Sequence, residues 1–217
     1  MNRAILRHAC GVLVATLAGG LAPVASRAAE TEVYLSWGSP HGAPGARDTL
    51  VRACGDSTRV DTLYLSFVPG EDFLLPAITN RVEFTAMNGD TLPGYWSFRS
   101  GSRGPGSCWG EFGVSSMAGC PFPFPEGYNL SGATFSRRDG KGFLRVGYAV
   151  SAKKPGTVRA GTHYCLARVL FQHGGKGSPG CDQPLRVTWS EAVFHLDRGN
   201  ERLVLSGRGH PVYLRTR

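Results

Sequence analysis

The chain has 217 residues, of which 41% are hydrophobic and only 18% are charged, and its formal net charge is +8. Its 30 glycines and 14 prolines follow no period. This balance excludes intrinsic disorder, collagen and coiled coils, and the length allows one or two globular domains with a sizeable core.

The N-terminal segment has the pattern of a secretory signal peptide. Arg3 and Arg7 make a basic start, residues 11–24 form an uncharged apolar run, and small residues precede a predicted cleavage after Ala28. The apolar run is shorter than the ~20 residues of a transmembrane helix, and no later run reaches that length. We therefore expect residues 29–217 to be exported without a transmembrane segment, to a periplasm, the cell envelope or the medium.

Apolar and polar residues alternate along most of the mature chain, and this period of two is typical of half-buried antiparallel strands. Residues 46–54 are the one segment of helical appearance. Asp139-Gly140 lies between two alternating segments and predicts a hairpin over residues 135–150. In chain order, the alternating segments are 33–37, 62–67, 81–86, 144–150, 165–171, 185–190, 192–196 and 212–214.

About eight to ten such strands predict an all-β fold, because two sheets can each bury one face against the other. We expect a single antiparallel β-sandwich of jelly-roll-like form with Gly/Pro-rich loops. Within residues 165–171, the alternation predicts that Cys165 and Ala167 lie on the same face. No internal repeat and no linker divides residues 29–217 into two domains.

The exported chain would carry an odd number of cysteines into an oxidising compartment, which suggests two disulfides and one free thiol. The pairing is open, because such a set allows many connectivities. We favour a Cys165–Cys181 bridge, which closes a short loop, and a Cys108–Cys120 bridge across a Gly/Ser-rich stretch. Cys54 is then left over, as a buried inert thiol or as a reactive or intermolecular one. A zinc site lacks paired ligand spacing, so we expect no metal.

The order of the first strands carries a family resemblance. An opening strand is followed by DTLYLSFVPGEDF at 61–73, ITNRVEFTA at 78–86 and NGDTL at 88–92. This order resembles the beginning of cohesin-type and carbohydrate-binding-type jelly-roll modules of secreted bacterial proteins, over residues 60–150. The resemblance implies a binding module on a β-sandwich, and it transfers no functional residue to this chain.

Enzyme motifs are absent from the sequence. It contains no G-x-S-x-G elbow, no H-E-x-x-H helix and no phosphate-binding glycine loop. A glycosidase pair of carboxylates, or a Ser-His-Asp triad, can still be assembled only in three dimensions, although a solvated strand carboxylate is the simpler interpretation. The side chains that such a site could use are Glu83, Glu111, Glu191, His163, His195 and His210.

Clustered aromatic residues are the only positive indication of a binding surface. Exposed planar rings can stack on sugars or anchor a protein partner. Alternatively, the rings point inward and hold the loops against the core. The candidate binding residues are Tyr95, Trp96, Trp109, Phe122 and Phe124.

The charge of the mature chain is unevenly distributed. Residues 29–136 contain 6 basic and 11 acidic residues, whereas residues 137–217 contain 15 basic and 5 acidic ones. If folding keeps the two parts separate, a basic face could bind an anionic envelope polymer in a salt-sensitive way, while export argues against nucleic acid as the partner.

The leading functional hypothesis is a secreted, non-catalytic module, without a cofactor, that binds an extracellular polysaccharide, a surface or another protein. The alternatives are a secreted, glycosidase-like hydrolase without a visible motif, and a structural envelope protein without a ligand.

Overall fold

Two β-sheets pack face to face around an apolar core. The computed structural model describes residues 30–54, 59–89, 91–100, 104–113, 119–125, 129–174, 179–197, 201–207 and 209–216. The predicted signal peptide, residues 1–28, lies outside this part of the chain. Across the ranges that are described, no helix has both the length and the apolar character needed to span a membrane.

Five strands form sheet I, which carries the N-terminal strand at one edge. In spatial order its strands are β1 (Glu32–Trp37), β3 (Val60–Val68), β11 (Tyr164–Gln172), β7 (Ser107–Phe112) and β6 (Arg99–Ser100).

Seven strands form sheet II. In spatial order they are β2 (Thr49–Arg52), β14 (Val212–Thr216), β12 (Leu185–His195), β5 (Ala77–Ala86), β9 (Lys141–Val150) and β8 (Asn129–Arg138), with β13 (Arg202–Ser206) beside the second half of β12. A separate pair joins β4 (Phe73–Leu75) to β10 (Gly156–Val158), and a 3₁₀ turn covers Gly94–Trp96.

The core forms where the inward faces of the two sheets meet. The ring centroids of Phe67 and Phe194 lie 5.0 Å apart, and those of Phe84 and Phe171 lie 5.7 Å apart, each pair joining one sheet to the other. Burying a side chain of this size contributes about 1.5–3 kcal/mol. The predicted all-β sandwich is therefore confirmed, and its strand alternation is the reason that one continuous core can form.

The predicted hairpin is also confirmed. β8 and β9 pair from Arg138↔Lys141 outward, and Asp139 and Gly140 both have positive φ, at 51° and 75°. Two central residues with positive φ form the type I′ turn that matches the twist of the flanking strands.

Short strands account for most differences from the predicted elements. The described part of the chain contains 14 strands, because pieces of two to four residues are too short to show alternation. Two pairings are parallel, β2 with β14 and β6 with β7. The predicted helix at residues 46–54 is wrong: Arg47 bridges to Trp37, and β2 takes its backbone hydrogen bonds from β14, so tertiary pairing overrides the local tendency.

A bulge in β11 overturns the predicted face of Cys165. The register with β3 shifts between Cys165 and Ala167, so that one extra residue is inserted. Leu166 and Ala167 both belong to the core, whereas Cys165 lies on the outer side of sheet I with Tyr64. A bulge reverses the faces of all residues beyond it, because the side-chain period of a strand is two.

Candidate binding site

A groove of about 650 Å³ crosses the outer face of sheet II. We call it the outer groove; strands β8, β9 and β5 provide its floor. One row of this floor aligns Gly132, Gly147 and Thr79 on neighbouring strands. A Cβ atom added at Gly132 would meet nothing within 4 Å, and one at Gly147 would meet its nearest neighbours at 3.9 Å. The groove therefore exists because two paired strands lack side chains at the same level.

A second row, of apolar residues, continues this floor. Leu130, Ala149 and Ala77 lie side by side on β8, β9 and β5. Leu130 is 80% exposed, and Val204, on β13 beyond β12 of the same sheet, is 51% exposed. Large apolar side chains at this exposure contribute binding energy only when a partner covers them.

Charged side chains border the floor. Arg145 lies beside Arg81, and Arg81 lies beside Glu191 of β12. Arg81 donates from Nε to Ser190 Oγ at 3.2 Å, and its guanidinium carbon lies 6.0 Å from the centre of the Phe143 ring. The outer groove thus has an apolar floor with a charged margin whose central arginine is held in place.

Folding concentrates the basic residues in sheet II. Its strands contain nine basic and two acidic residues, whereas the strands of sheet I contain two basic and three acidic ones. The reason is topological, because β9, β12, β13 and β14 all come from the basic part of the chain and all lie in sheet II. The strands from the basic part therefore lie mainly in sheet II, together with β2, β5 and most of β8 from the acidic part.

Two of the five predicted aromatic binding residues lie under the loops at one end of the sandwich. Tyr95 and Trp96 are 3% and 0% exposed, and their ring centroids lie 5.4 and 5.3 Å from that of His173. Trp96 Nε1 also donates to the carbonyl of Gly180 at 3.0 Å. Both rings hold loops against the core, and neither has a face open to a ligand.

The other three aromatic candidates are distributed over different parts of the molecule. Phe124 is buried and Phe122 is half-buried, and their ring centroids lie 4.4 and 4.8 Å from that of Tyr148, so they fix the Pro-rich loop. Trp109 is half-buried on the outer side of sheet I, where Nε1 donates to Glu111 at 3.4 Å. The structure does not bring the five rings together on one exposed surface.

The cysteines pair differently from the prediction. The structure contains Cys54–Cys181 and Cys120–Cys165 bridges, and Cys108 is the buried free thiol. The predicted Cys165–Cys181 and Cys108–Cys120 bridges are therefore wrong, as is the prediction that Cys54 is left over. The spacing of the cysteines along the sequence favours bridges that close short loops, but the pairing is determined by which cysteines the fold brings close together.

Local geometry explains this pairing. The β11 bulge directs Cys165 outward, and its N–H donates to the carbonyl of Pro121 at 2.9 Å, which brings Cys120 alongside. Cys108 instead faces the core from β7, and burial raises the pKa of its thiol to about 12. It is therefore an unreactive thiol at physiological pH.

Arg52, Asp61 and His173 form a buried polar cluster that the sequence does not predict. Asp61 accepts a hydrogen bond from Arg52 Nη1 at 2.6 Å, and its carboxylate lies 2.9 Å from His173 Nε2. All three residues are at most 3% exposed. Because the cluster is closed to solvent, its role is to join β2, β3 and the segment after β11, and nothing in their sequence spacing indicates that they meet.

The carboxylates considered for hydrolysis face cations. Glu83 Oε1 lies 2.7 Å from Lys141 Nζ, and Glu111 Oε2 lies 2.5 Å from Arg168 Nη2. Glu191 lines the outer groove beside Arg81. Glu111 belongs to β7 of sheet I, whereas Glu83 and Glu191 belong to β5 and β12 of sheet II, so the structure does not bring the three carboxylates together in one cleft.

The candidate histidines belong to different segments of the fold: His163 precedes β11, His195 ends β12 and His210 precedes β14. The pKa of His163 is lowered mainly by burial and further by the neighbouring His41. The pKa of His195 is lowered mainly by burial and further by Arg202. His210 is exposed. Among the residues that the structure describes, no cluster of three possible metal ligands occurs.

Neither protein-family models nor curated protein sequences match the chain. Among solved structures, the chain is similar to the sixth cohesin of scaffoldin B from Acetivibrio cellulolyticus, which was solved with a Cel5 dockerin mutant. The two chains are 11% identical with a TM-score of 0.39, over 87% of this chain and 100% of that one. A type I cohesin from Clostridium thermocellum, solved with a dockerin, is 9% identical with a TM-score of 0.42, over 87% of this chain and 95% of that one. The similarity is one of β-sandwich architecture, which the order of the first strands predicts.

Proposed function

We propose that this chain is an exported, non-catalytic interaction module that binds a protein partner on the outer face of sheet II. The outer groove carries this proposal. Its floor of apolar residues includes exposed Leu130 and is bordered by Arg81 and Arg145. An apolar centre inside a polar margin is the usual anatomy of a protein interface.

A protein partner fits the outer groove better than a polysaccharide does. Sugar binding relies on exposed aromatic rings that stack on the pyranose faces. Tyr148, the only aromatic residue that lines the groove in the described part of the chain, points into the core, where its ring packs on Phe124. Flat strands with glycine and alanine at the surface instead let another backbone approach closely.

Export is the second part of the proposal. The N-terminal sequence pattern and the two disulfides support it, because disulfides persist mainly in oxidising compartments. The test is the cellular location of the chain with and without residues 1–28. Retention of the shortened form in the cytoplasm, with its cysteines reduced, is the expected result.

The groove is tested by filling it. Gly147→Gln and Gly132→Gln place a side chain on the floor at positions where a Cβ atom fits, so the fold should be retained. Thr157→Gln, at an exposed position on β10, is the matched control. Partners captured from the extracytoplasmic fraction by the wild-type protein should bind the groove variants at least about tenfold more weakly, which corresponds to about 1.4 kcal/mol.

The outcomes separate the hypotheses. Equal binding of the captured protein to the groove variants and to the control would contradict the assignment of the outer groove. Binding to a polysaccharide array that survives both glycine substitutions would point to a glycan partner elsewhere on the molecule. Measured hydrolysis that is lost on Glu191→Gln would contradict the non-catalytic assignment.

A further inference from the structure

β8 is a long strand at the open edge of sheet II. It pairs with β9 over all ten of its residues without a register shift. Elsewhere in the described ranges, no other strand pairs with it. The side of β8 that faces away from β9 therefore has no strand partner in the described ranges; Ser100 of β6 covers it at Phe135, and the stretch from Leu130 to Thr134 is open, next to the outer groove.

The hydrogen bonds of Phe135 show which backbone groups face this edge. Its N–H donates to Ser100 Oγ, and its carbonyl accepts from the same hydroxyl, on the side away from β9. Alternate residues of an antiparallel strand direct both backbone groups to the same side. Ser131 and Ala133, which have the same parity, therefore direct their N–H and C=O groups to the open edge.

Edge strands in natural proteins are normally protected against pairing by shortness, a bulge, a proline or a charge. The edges formed by β1, β2 and β6 are short, with six, four and two residues. β8 has none of these protections from Leu130 to Thr134, whereas beyond Thr134 its edge is covered by Ser100 at Phe135 and carries the charges of Arg137 and Arg138. Such an edge is a template for another strand.

We propose that an extended segment of the protein partner adds to β8 as a further antiparallel strand of sheet II. This inference rests on the proposed function and specifies how the partner binds. Main-chain hydrogen bonds to Ser131 and Ala133 supply affinity, as in other cases of strand addition.

The charge and apolarity of β8 define the chemistry of that segment. Exposed Arg145 lies beside Thr134, at one end of the open stretch, and exposed Leu130 lies at the other. In an antiparallel arrangement, the N-terminal half of the added strand lies beside Thr134 and Arg145, and its C-terminal half lies beside Leu130. The fitting segment is therefore acidic in its N-terminal half and apolar in its C-terminal half, without proline.

The probe is a synthetic peptide about as long as the open stretch from Leu130 to Thr134, with glutamate alternating with threonine in its N-terminal half and valine alternating with threonine in its C-terminal half. Amide exchange followed by NMR should show new protection at Ser131 and Ala133 when it binds. The same peptide with lysine in place of glutamate, or with N-methyl groups on its β8-facing amides, should bind at least about tenfold more weakly.

Ser131→Pro and Ser131→Thr form the matched pair of protein variants. Proline removes an N–H that the β8–β9 ladder does not use, so an edge strand tolerates it. Ser131→Thr keeps that N–H. We expect Ser131→Pro to retain the wild-type melting temperature within a few degrees and to weaken peptide binding about tenfold, while Ser131→Thr binds as the wild type does.

Three results would overturn the inference: no protection at Ser131 and Ala133 with the acidic peptide, equal affinity of the two Ser131 variants, or equal affinity of the lysine peptide. If the peptide fails but Gly147→Gln still abolishes capture of the partner, strand addition is refuted while the proposed function stands.

Discussion

Removal of the Cys54–Cys181 bridge is the sharpest test of how this fold is held together. The bridge spans 127 residues, whereas Cys120–Cys165 spans 45. On the chain-entropy model, the two bridges restrict the unfolded chain by about 5 and about 4 kcal/mol respectively. Each value is a large share of the roughly 5–15 kcal/mol by which domains of this size are stable.

Loop length, and not burial, makes the difference between the two bridges. Cys54 is exposed and Cys181 is 7% exposed, while Cys120 is half-buried and Cys165 is fully buried. Replacing both cysteines of a bridge by alanine avoids new free thiols. From the loop lengths, we expect Cys54→Ala/Cys181→Ala to lower the unfolding free energy by about 1 kcal/mol more than Cys120→Ala/Cys165→Ala does.

Equilibrium unfolding in urea, followed by the fluorescence of the buried tryptophans, measures both losses. Peptide mapping without reduction establishes the pairing independently. Cys108→Ala is the control, since it should leave both bridges intact. A peptide that links Cys165 to Cys181, or a larger loss of stability from the Cys120–Cys165 pair, would refute this reasoning.

Three further predictions concern single sites. Because burial raises the pKa of Cys108 to about 12, its thiol should resist iodoacetamide in the folded mature chain and react only after unfolding; labelling of the folded chain would contradict this. The pKa of His163 is lowered mainly by burial and further by His41, so this imidazole binds a proton more readily in the unfolded chain than in the folded one. The unfolding free energy should therefore be highest above pH 6.5 and fall as the pH drops below that value, with a smaller fall in His163→Gln. Finally, a Cβ atom at Gly156 would meet the carbonyl of Pro123 at 2.2 Å, so Gly156→Ala should cost about 1–3 kcal/mol in urea unfolding, whereas Gly132→Ala should cost nothing measurable.

Strand positions could be predicted because alternation is a local property. Leu144, Val146 and Tyr148 are buried as their spacing indicates, and the Asp139-Gly140 turn formed as predicted. The bulge in β12 is also indicated by the sequence, because the alternating apolar residues occupy odd positions up to Trp189 and even positions from Ala192 onward. Each of these features depends on neighbours within a few positions.

The site could not be predicted in the same way. The outer groove depends on Gly132 lying beside Gly147, a match created by the hairpin register. Aromatic content suggested a different surface, but Trp96 and Phe124 are buried because large rings fill the space between the sheets and their loops. A glycine pair on a strand carries no binding signal until the neighbouring strand is known.

The sequence by itself determined that segments with alternating apolar and polar residues form strands, that the turns between them are tight, and that the second part of the chain is basic. Only the tertiary structure decided that β2 pairs with β14, that Cys54 joins Cys181, and that the basic strands share sheet II with an open edge at β8. The physical reason is separation along the chain. Local periodicity is set by neighbouring residues, whereas sheet order, disulfide pairing and the exposed face depend on contacts between segments that are distant in sequence.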